Sequence, residues 1–303
     1  MSKVVALTGA TGFIGGYLLQ RLTSSGVRVR ALSRRQSGIV TGVEWVQGTL
    51  DDPVALEQLV AGAGRVIHCA GAVRGASAAY FEQINTGGSL RLLQAVQQAG
   101  CCTGLLLVSS LAARHPQLSW YAASKRHAED QVIATARGLP VTVFRPTAVY
   151  GPGDRELHPV FSLLMKGWLP VVGPEESHLS FLHVDDLTGA MLGWLDAPAG
   201  LSGIYELHDG RIEGYSWRLL ASLAEGLTGR PVRLLRIPAA LLEQLARLNT
   251  LIARLSGYAP MLTSAKLNEL RHTDWSCNNK PLEEALGWKP AILLEQALAE
   301  KSF

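Results

Sequence analysis

The chain has 303 residues, of which 48% are hydrophobic and 17% are charged, and its formal net charge is +3. This length suits one large α/β domain, or a domain with a smaller companion, and the composition argues against disorder. So small a net charge, without a Lys/Arg cluster, argues against a nucleic-acid partner. The four cysteines (Cys69, Cys101, Cys102 and Cys277) show no metal-ligand spacing, so we expect no bound metal.

The sparse cysteines also suit a reducing compartment. Met1 runs almost directly into the first predicted strand, which leaves no room for a signal peptide, and no apolar run approaches the length of a membrane span. We therefore expect a cytoplasmic protein that acts on a small-molecule substrate and has no membrane partner.

A glycine-rich loop follows the first apolar run, Val4–Leu7. Three glycines, Gly9, Gly12 and Gly15, are spaced three apart and lead into a segment with helical spacing. Strand, glycine turn and helix form the geometry that cradles a dinucleotide pyrophosphate. Gly9 permits the tight turn, Gly12 lets backbone N–H groups approach phosphate, and Gly15 lets the helix lie close to the strand. A plain glycine turn is the alternative, and the position between strand and helix favours dinucleotide binding.

Predicted strands and helices alternate up to about residue 150, which indicates a Rossmann-type, doubly wound parallel sheet of the α/β class. The predicted strands are Val4–Leu7, Val27–Leu32, Val43–Val46, Val66–Cys69, Leu105–Val108 and Val141–Phe144. The predicted helices between them are Gly15–Ser24, Pro53–Val60, Tyr80–Ala99 and Tyr121–Arg137.

The regularity declines after Gly151-Pro152-Gly153. We predict a dinucleotide-binding domain over residues 1–150 and a smaller substrate lobe over residues 151–303, with part of the chain free to return to the sheet. Later helices are predicted at Pro159–Lys166, Asp186–Leu195, Ser216–Thr228, Ala239–Ser256, Thr263–Leu270 and Ile292–Glu300, with strands near Gly203–Leu207 and Val232–Leu235.

The helix predicted at Ala239–Ser256 is apolar along one face. That face could meet a membrane surface or another subunit, but its few charges form no basic polar face, so we expect it to point at the core. Apolar and aromatic residues of the lobe would suit an apolar substrate, although such residues more often belong to a core. They are Phe161, Leu164, Trp168, Phe181 and Met261.

Two arginines end the second predicted strand, in Ser33-Arg34-Arg35, where a dinucleotide fold meets the adenosine ribose. An acid there would bind the 2′-hydroxyl, whereas arginine accepts a 2′-phosphate. The sequence therefore favours NADP over NAD, with a pair of solvated surface arginines as the alternative. After the third strand, Asp51 or Asp52 could meet adenine or cap the helix that begins at Pro53, and we favour the cap.

Tyr121 and Lys125 lie four residues apart and share one face of a predicted helix. A nearby ammonium lowers the pKa of a tyrosine, and such a phenol can exchange a proton with a carbonyl or carbinol oxygen. Ser110, at the end of the fifth predicted strand, could donate a second hydrogen bond to the same oxygen. A surface pair is the alternative for Tyr121 and Lys125, but their position downstream of the glycine loop favours catalysis.

The chain resembles the extended short-chain dehydrogenase/reductase superfamily, in its NAD-dependent epimerase/dehydratase branch. Within that branch it is closer to dihydroflavonol reductase-like enzymes than to nucleotide-sugar epimerases. The matching segments span nearly the whole chain and keep the family's order. They are Thr8-Gly9-Ala10-Thr11-Gly12-Phe13-Ile14-Gly15, Ser109-Ser110, Tyr121-x-x-x-Lys125, Arg145–Pro152, Phe181–Asp186 and Leu286-Gly287-Trp288-Lys289-Pro290.

This resemblance implies a role for each matching residue. Tyr121 would donate or accept the proton, Lys125 would bind the nicotinamide ribose, Ser110 would hold the reacting oxygen and Asn85 would support the site from behind. Arg34 would bind the 2′-phosphate. The implied cofactor contacts are Gly9, Thr11, Gly12, Phe13, Ile14, Gly15, Arg34, Thr49, Leu50, Cys69, Ala70, Gly71, Lys125, Pro146 and Thr147. Many relatives are homodimers through the two long helices, so a homodimer is expected by resemblance.

Two departures from the family pattern bear on the reaction. Thr49 stands where the family often has an adenine-binding aspartate, and Leu179 stands where nucleotide-sugar enzymes commonly have a phosphate-binding arginine. The short loop from Leu111 to Trp120 offers His115 and Trp120 as substrate contacts, although packing or surface exposure is favoured for both. We therefore predict an NADP-dependent oxidoreductase acting on a carbonyl or alcohol. The alternatives are a nucleotide-sugar epimerase or dehydratase with retained NAD, and a non-enzymatic cofactor-binding assembly or sensor protein.

Overall fold

The computed structural model describes residues 4–198, 200–256, 260 and 263–303. In chain order the strands are β1 (Val4–Thr8), β2 (Val29–Ser33), β3 (Val43–Gln47), β4 (Ala63–His68), β5 (Leu105–Val108), β6 (Val141–Pro146), β7 (Ala148–Tyr150), β8 (Trp168–Val171), β9 (Phe181–His183), β10 (Gly203–Leu207) and β11 (Arg233–Arg236). Within the described residues, no helix is long and apolar enough to cross a membrane.

The helices are α1 (Phe13–Ser24), α2 (Pro53–Val60), α3 (Ala78–Phe81), α4 (Gly88–Ala99), α5 (Trp120–Thr135), α6 (His158–Leu164), α7 (Val184–Asp196), α8 (Trp217–Thr228), α9 (Ala239–Ser256), α10 (Ser264–Arg271), α11 (Lys280–Leu286) and α12 (Leu294–Glu300). A π-helical turn, Glu82–Gly87, joins α3 to α4, and a 3₁₀ turn, Leu111–Arg114, follows β5.

Seven parallel strands form the central sheet, in the order β10-β6-β5-β4-β1-β2-β3. The apolar runs of the inner strands β1, β2, β4, β5 and β6 are mostly buried, as expected for strands covered on both faces, whereas the edge strands β3 and β10 are partly exposed. The helices α1 and α7 cover one face, and α2, α4 and α5 cover the other. The predicted Rossmann-type fold is therefore confirmed. The strand order reverses between β1 and β4, which is where open α/β sheets bind their ligands.

Part of the chain beyond residue 150 belongs to this sheet. β10 is hydrogen-bonded to β6 along its whole length, and α7 packs its Leu187, Met191 and Trp194 into the core beside α1. A second core fills the smaller lobe between β7, β8, β9, α6, α8 and α12, and it contains Phe161, Leu164 and Phe181. These three predicted lobe residues are core residues, whereas Trp168 is 37% exposed. Met261 lies outside the described residues.

The helix predicted as one piece at Tyr80–Ala99 is interrupted. Asn85 holds the backbone of Ala72, accepting from its N–H at 2.7 Å and donating to its carbonyl at 3.1 Å. The π-helical turn that contains Asn85 separates α3 from α4, and such turns are often found at functional sites. The position of Asn85 in the fold therefore depends on a long-range contact, which local helical periodicity does not encode.

The expectation that α9 points its apolar face at the core is wrong. Leu242, Ala246 and Ala253 are buried, but five large apolar residues of α9 are between 46% and 56% exposed. Those residues are Leu241, Leu245, Leu248, Leu251 and Ile252. The sequence shows that α9 has an apolar face, but not how much of that face its neighbours in the fold cover.

Candidate active site

The glycine loop lies at the carboxyl end of β1 and leaves no space for larger residues. Gly9 has φ +75°, and a Cβ there would lie 2.6 Å from the Ala70 nitrogen. A Cβ at Gly15 would lie 2.2 Å from the Gly9 carbonyl oxygen. α1 begins directly after Gly12, without a side-chain cap, so the N–H groups of Phe13, Ile14 and Gly15 point out of its first turn. This loop has the close backbone packing and free donors that can hold a pyrophosphate.

A buried chain of hydrogen bonds links the loop to the Asn85 turn. Thr8 Oγ1 accepts from the Ala70 N–H at 3.2 Å and contacts His68 Nδ1 at 2.6 Å. His68 Nε2 contacts Ser89 Oγ at 3.0 Å, and Ser89 donates to the Asn85 carbonyl at 2.6 Å. Since Ser89 uses its hydrogen on that carbonyl, Nε2 of His68 carries the proton and Nδ1 accepts from Thr8. Burial, with the nearby Lys125 ammonium, lowers the pKa of His68 to about 3, so the ring is neutral.

Cys69, Ala70 and Gly71 follow β4 and form the rim opposite the glycine loop. A Cβ at Gly71 would lie 3.0 Å from Asn85 Oδ1 and 3.2 Å from Lys125 Nζ, so the missing side chain keeps this edge open. Burial raises the pKa of Cys69 to about 12, which makes it an inert thiol.

The structure brings together the four residues assigned to catalysis. The Ser110 side chain lies beside the Tyr121 phenol and acts to lower its pKa, and Lys125 Nζ donates to the Val108 carbonyl at 2.9 Å at the end of β5. Asn85 Nδ2 donates to Ser124 Oγ at 2.9 Å, which ties the π-helical turn to α5. A hydroxyl, a phenol and an ammonium therefore converge at the carboxyl ends of β4 and β5.

The electrostatics of this cluster differ from the sequence expectation. Burial raises the pKa of Tyr121 to about 12, the hydrogen bond from Ser110 opposes that rise, and Glu269 and Glu129 add to it. Burial also lowers the pKa of Lys125 to about 8, although Glu129 opposes this. Lysine was expected to lower the pKa of Tyr121, but in this structure desolvation dominates. The phenol is therefore protonated at neutral pH and able to donate.

A buried ion pair supports α5 from behind. Glu129, one turn beyond Lys125, is fully buried and accepts from Arg145 Nε at 3.0 and 3.1 Å, from Arg145 Nη2 and from Ser109. Although burial acts to lower it, Glu129 raises the pKa of Arg145. Two unpaired buried charges would be costly, so this pair fixes the position of α5 against β5 and β6.

The adenosine end of the site is open and basic. Arg34 and Arg35 follow β2, are exposed, and make no ion pair with any residue that the structure describes. Asp52 caps α2 by accepting from the Ala55 N–H at 3.1 Å, as we favoured. Asp51 pairs instead with Arg91, whose Nε donates to the Leu50 carbonyl at 2.7 Å. The exposed hydroxyl of Thr49 accepts from the Asp51 N–H at 3.2 Å.

Pro146 and Thr147 lie at the carboxyl end of β6 and are buried. The Thr147 N–H donates to the Leu207 carbonyl at 3.0 Å, but Thr147 Oγ1 is buried without a hydrogen-bond partner. An orphaned hydroxyl at this edge of the sheet, together with the glycine cradle, fits a polar cofactor that crosses the ends of β1, β4 and β6.

Two residues of the smaller lobe, Lys266 and Glu269, lie near Tyr121. The sequence analysis did not predict either of them as a site residue. Lys266 Nζ lies 5.9 Å from the centre of the Tyr121 ring and donates to Glu269 Oε2 at 2.6 Å. Glu269 also accepts from Ser119, the residue that caps α5. In the sequence, Lys266 and Glu269 look like any solvated pair three residues apart, so no local signal marks them.

These residues line a small cavity of about 20 Å³ beside Tyr121, together with Val73, Phe81 and Trp120. Trp120 therefore lies at the candidate substrate side. His115 packs instead on the His272 ring, with 4.2 Å between ring centres, and beside Trp275, as the packing alternative predicts.

Two of the family-like segments meet at the base of the smaller lobe. Asp186 accepts from the Ala291 N–H at 3.0 Å and from the Ile292 N–H at 2.9 Å, and Trp288 Nε1 donates to its carbonyl at 3.1 Å. These residues hold the tail against α7. Leu179 exchanges backbone hydrogen bonds with Tyr215 and packs in the lobe core, so it offers no charge to a nucleotide phosphate.

Fold and site together define an NAD(P)-dependent enzyme of the extended short-chain dehydrogenase/reductase type. Residues 5–207 match the model of the NAD dependent epimerase/dehydratase family, and the chain belongs to that family. It is 36% identical over 294 residues to a ceramide reductase of Caulobacter vibrioides, covering 96% of this chain and 91% of the relative.

Two further proteins are similar to this chain at lower identity. A 2-alkyl-3-oxoalkanoate reductase of Stenotrophomonas maltophilia is 30% identical over 207 residues, which cover 60% of this chain and 62% of that protein. A solved structure of MoeE5 with UDP-glucuronic acid and NAD superposes with a TM-score of 0.75 at 23% identity, covering 98% of this chain and 96% of that one. At that identity the likeness shows the fold alone.

Proposed function

We propose that the chain is an NADP-dependent reductase that acts on a carbonyl group of a long-chain, ceramide-like lipid. The observation that carries the proposal is the buried Tyr121 phenol, which lies beside Ser110 and one helical turn from Lys125 and whose pKa burial raises. Of the proteins compared above, the one with the highest sequence identity, 36% over nearly all of both chains, is a ceramide reductase. A donor phenol with a pKa well above neutral suits reduction, in which the new alcohol takes up a proton.

The nicotinamide cofactor, when bound, supplies the hydride. Gly9, Thr11, Gly12, Phe13, Ile14 and Gly15 would hold its pyrophosphate, and Cys69, Ala70, Gly71, Pro146 and Thr147 would line the nicotinamide half. Lys125 would bind the nicotinamide ribose, while Thr49 and Leu50 would meet adenine. Tyr121 gives its proton to the substrate oxygen, Ser110 polarises that oxygen, and Asn85 holds α5 in position.

NADP is the proposed cofactor because Arg34 and Arg35 stand at the end of β2 with no acid there to bind a ribose 2′-hydroxyl. Leu179 weighs against a nucleotide-sugar epimerase, since it provides an apolar side chain where a phosphate would need a cation. The intact catalytic set weighs against an assembly or sensor role. A cytoplasmic location and a homodimer remain predictions.

Fluorescence titration with NADPH and NADH tests the cofactor. Arg34→Ala should weaken NADPH binding by about tenfold to a hundredfold, the worth of a charge-assisted hydrogen bond, and leave NADH binding unchanged. Arg126→Ala, an exposed arginine paired with Asp130 on α5, is the matched control. Tighter binding of NADH than of NADPH, or NAD retained through gel filtration with UDP-sugar binding, would reverse the assignment in favour of an epimerase.

A further inference from the structure

Helix α9 carries an exposed apolar stripe that nothing in the described structure covers. Leu241, Leu245, Leu248 and Ile252 are between 46% and 55% exposed. With a rotation of about 100° per residue along an α-helix, these four side chains project within an arc of about 60° around the helix axis. Apolar stripes of this regularity normally face a core.

The helix is firmly attached by its other side. Leu242 and Ala246 are buried against Leu267 of α10, and Arg271 Nη2 of α10 donates to the Ala239 carbonyl at 3.1 Å. At about 100° a residue, Leu242 and Ala246 lie about 110° around the helix from the centre of the stripe, so this packing leaves the stripe exposed.

The segment that carries the stripe is basic. Residues 229–256 contain five arginines and one glutamate, a net formal charge of +4. Arg236 is paired with Glu175 and Arg247 with Glu243, whereas the exposed Arg230 and Arg233 form no ion pair with any residue that the structure describes. The Arg233 guanidinium lies 5.2 Å from the centre of the Trp168 ring, which is itself 37% exposed.

The leucine stripe follows a strand that carries an exposed arginine and pairs with the strand of the exposed Trp168. This combination matches the chemistry of an anionic bilayer surface, where apolar side chains enter the acyl boundary and cations meet the headgroups. A second copy is less suitable, since a two-fold interface would bring the same arginine-rich segment against itself.

The stripe is one helix away from the candidate active site. α10, which packs on α9, carries the Lys266–Glu269 pair that lines the cavity beside Tyr121. We propose that α9, together with β11, docks the chain on the surface of an anionic membrane, from which the site receives its lipid substrate. The docking is inferred only from the exposed residues of α9 and β11, whereas the supply of a lipid substrate rests on the proposed function.

Co-sedimentation with vesicles tests the docking. The wild-type chain should bind phosphatidylcholine vesicles that contain phosphatidylglycerol and should bind them more weakly as salt is raised. Leu245→Ser/Leu248→Ser should bind at least about tenfold more weakly, because two apolar insertions are lost. Ile212→Ser, at an exposed isoleucine between β10 and α8, should bind like wild type. No vesicle binding by wild type, or equal binding by the double variant, would overturn the proposal.

Two further measurements separate the remaining explanations. If sedimentation velocity without vesicles shows a wild-type dimer that the double variant dissociates, the stripe is a subunit interface and the membrane proposal is wrong. The double variant should reduce a water-soluble ketone at the wild-type rate but a vesicle-embedded ketone more slowly. Vesicle binding by a wild-type chain that reduces neither ketone would refute the proposed function while leaving the docking intact.

Discussion

At the scale of single residues, the chemistry of the site depends on how strongly burial disfavours the charged forms of Tyr121 and Lys125. Tyr121 and Lys125 are both desolvated, and each is shifted toward its neutral form. A tyrosine and a lysine four residues apart predict proximity, but their burial depends on the packing of the whole lobe. The sequence thus predicted the wrong direction for the pKa of the phenol, and the catalytic role of the pair stays a prediction.

The Lys125 shift gives a pH dependence. Its pKa is about 8, so below that pH the ammonium is charged, and above it the charge that stabilises a developing phenolate is lost. We expect kcat/KM for carbonyl reduction to be constant below about pH 7 and to fall above about pH 8. In Lys125→Arg, whose guanidinium does not titrate in this range, the fall should disappear whatever the absolute rate. The same fall in both proteins would assign the titration to another group.

At the scale of elements, α5 places the catalytic side chains and is itself positioned by a buried charge. Glu129→Leu should lower the free energy of unfolding by about 3–5 kcal/mol, because the buried guanidinium of Arg145 loses its hydrogen-bonded partner and keeps only Glu206, at 3.9 Å. The double variant Glu129→Leu/Arg145→Leu should recover most of that loss. Asp130→Ala, which breaks an exposed pair on the same helix, should cost below about 1 kcal/mol. Urea unfolding measures all three, and a double variant no more stable than Glu129→Leu would contradict this account of the pair.

Elements whose signals are local were predicted within a few residues. The strands β1 to β6 are apolar runs bounded by turn residues, and α8 and α12 have regular spacing. Elements that depend on contacts between residues far apart in the chain were not predicted. The π-helical turn needs Ala72 to meet Asn85, the three-residue strands β7 and β9 need each other, and Lys266 needs α10 to lie beside Tyr121.

At the scale of the whole molecule, the two lobes share elements. β10 completes the sheet from the far side of residue 150, and Asp186 holds the C-terminal tail against α7. Alternation of strands and helices was sufficient to predict the Rossmann-type sheet, but it does not show which later strand returns to the edge. A homodimer through α4 and α5 stays a prediction, and the outer face of α5 is polar around Arg126, His127 and Asp130.

The proposed function requires that Tyr121 donates the proton when the enzyme reduces a carbonyl. The most direct measurement follows NADPH oxidation by wild type and by Tyr121→Phe with a long-chain ketone, alongside NADPH titrations of both proteins. The phenol-to-phenyl change should lower kcat by about two to four decades and leave NADPH affinity unchanged. Wild-type turnover in Tyr121→Phe would contradict the account.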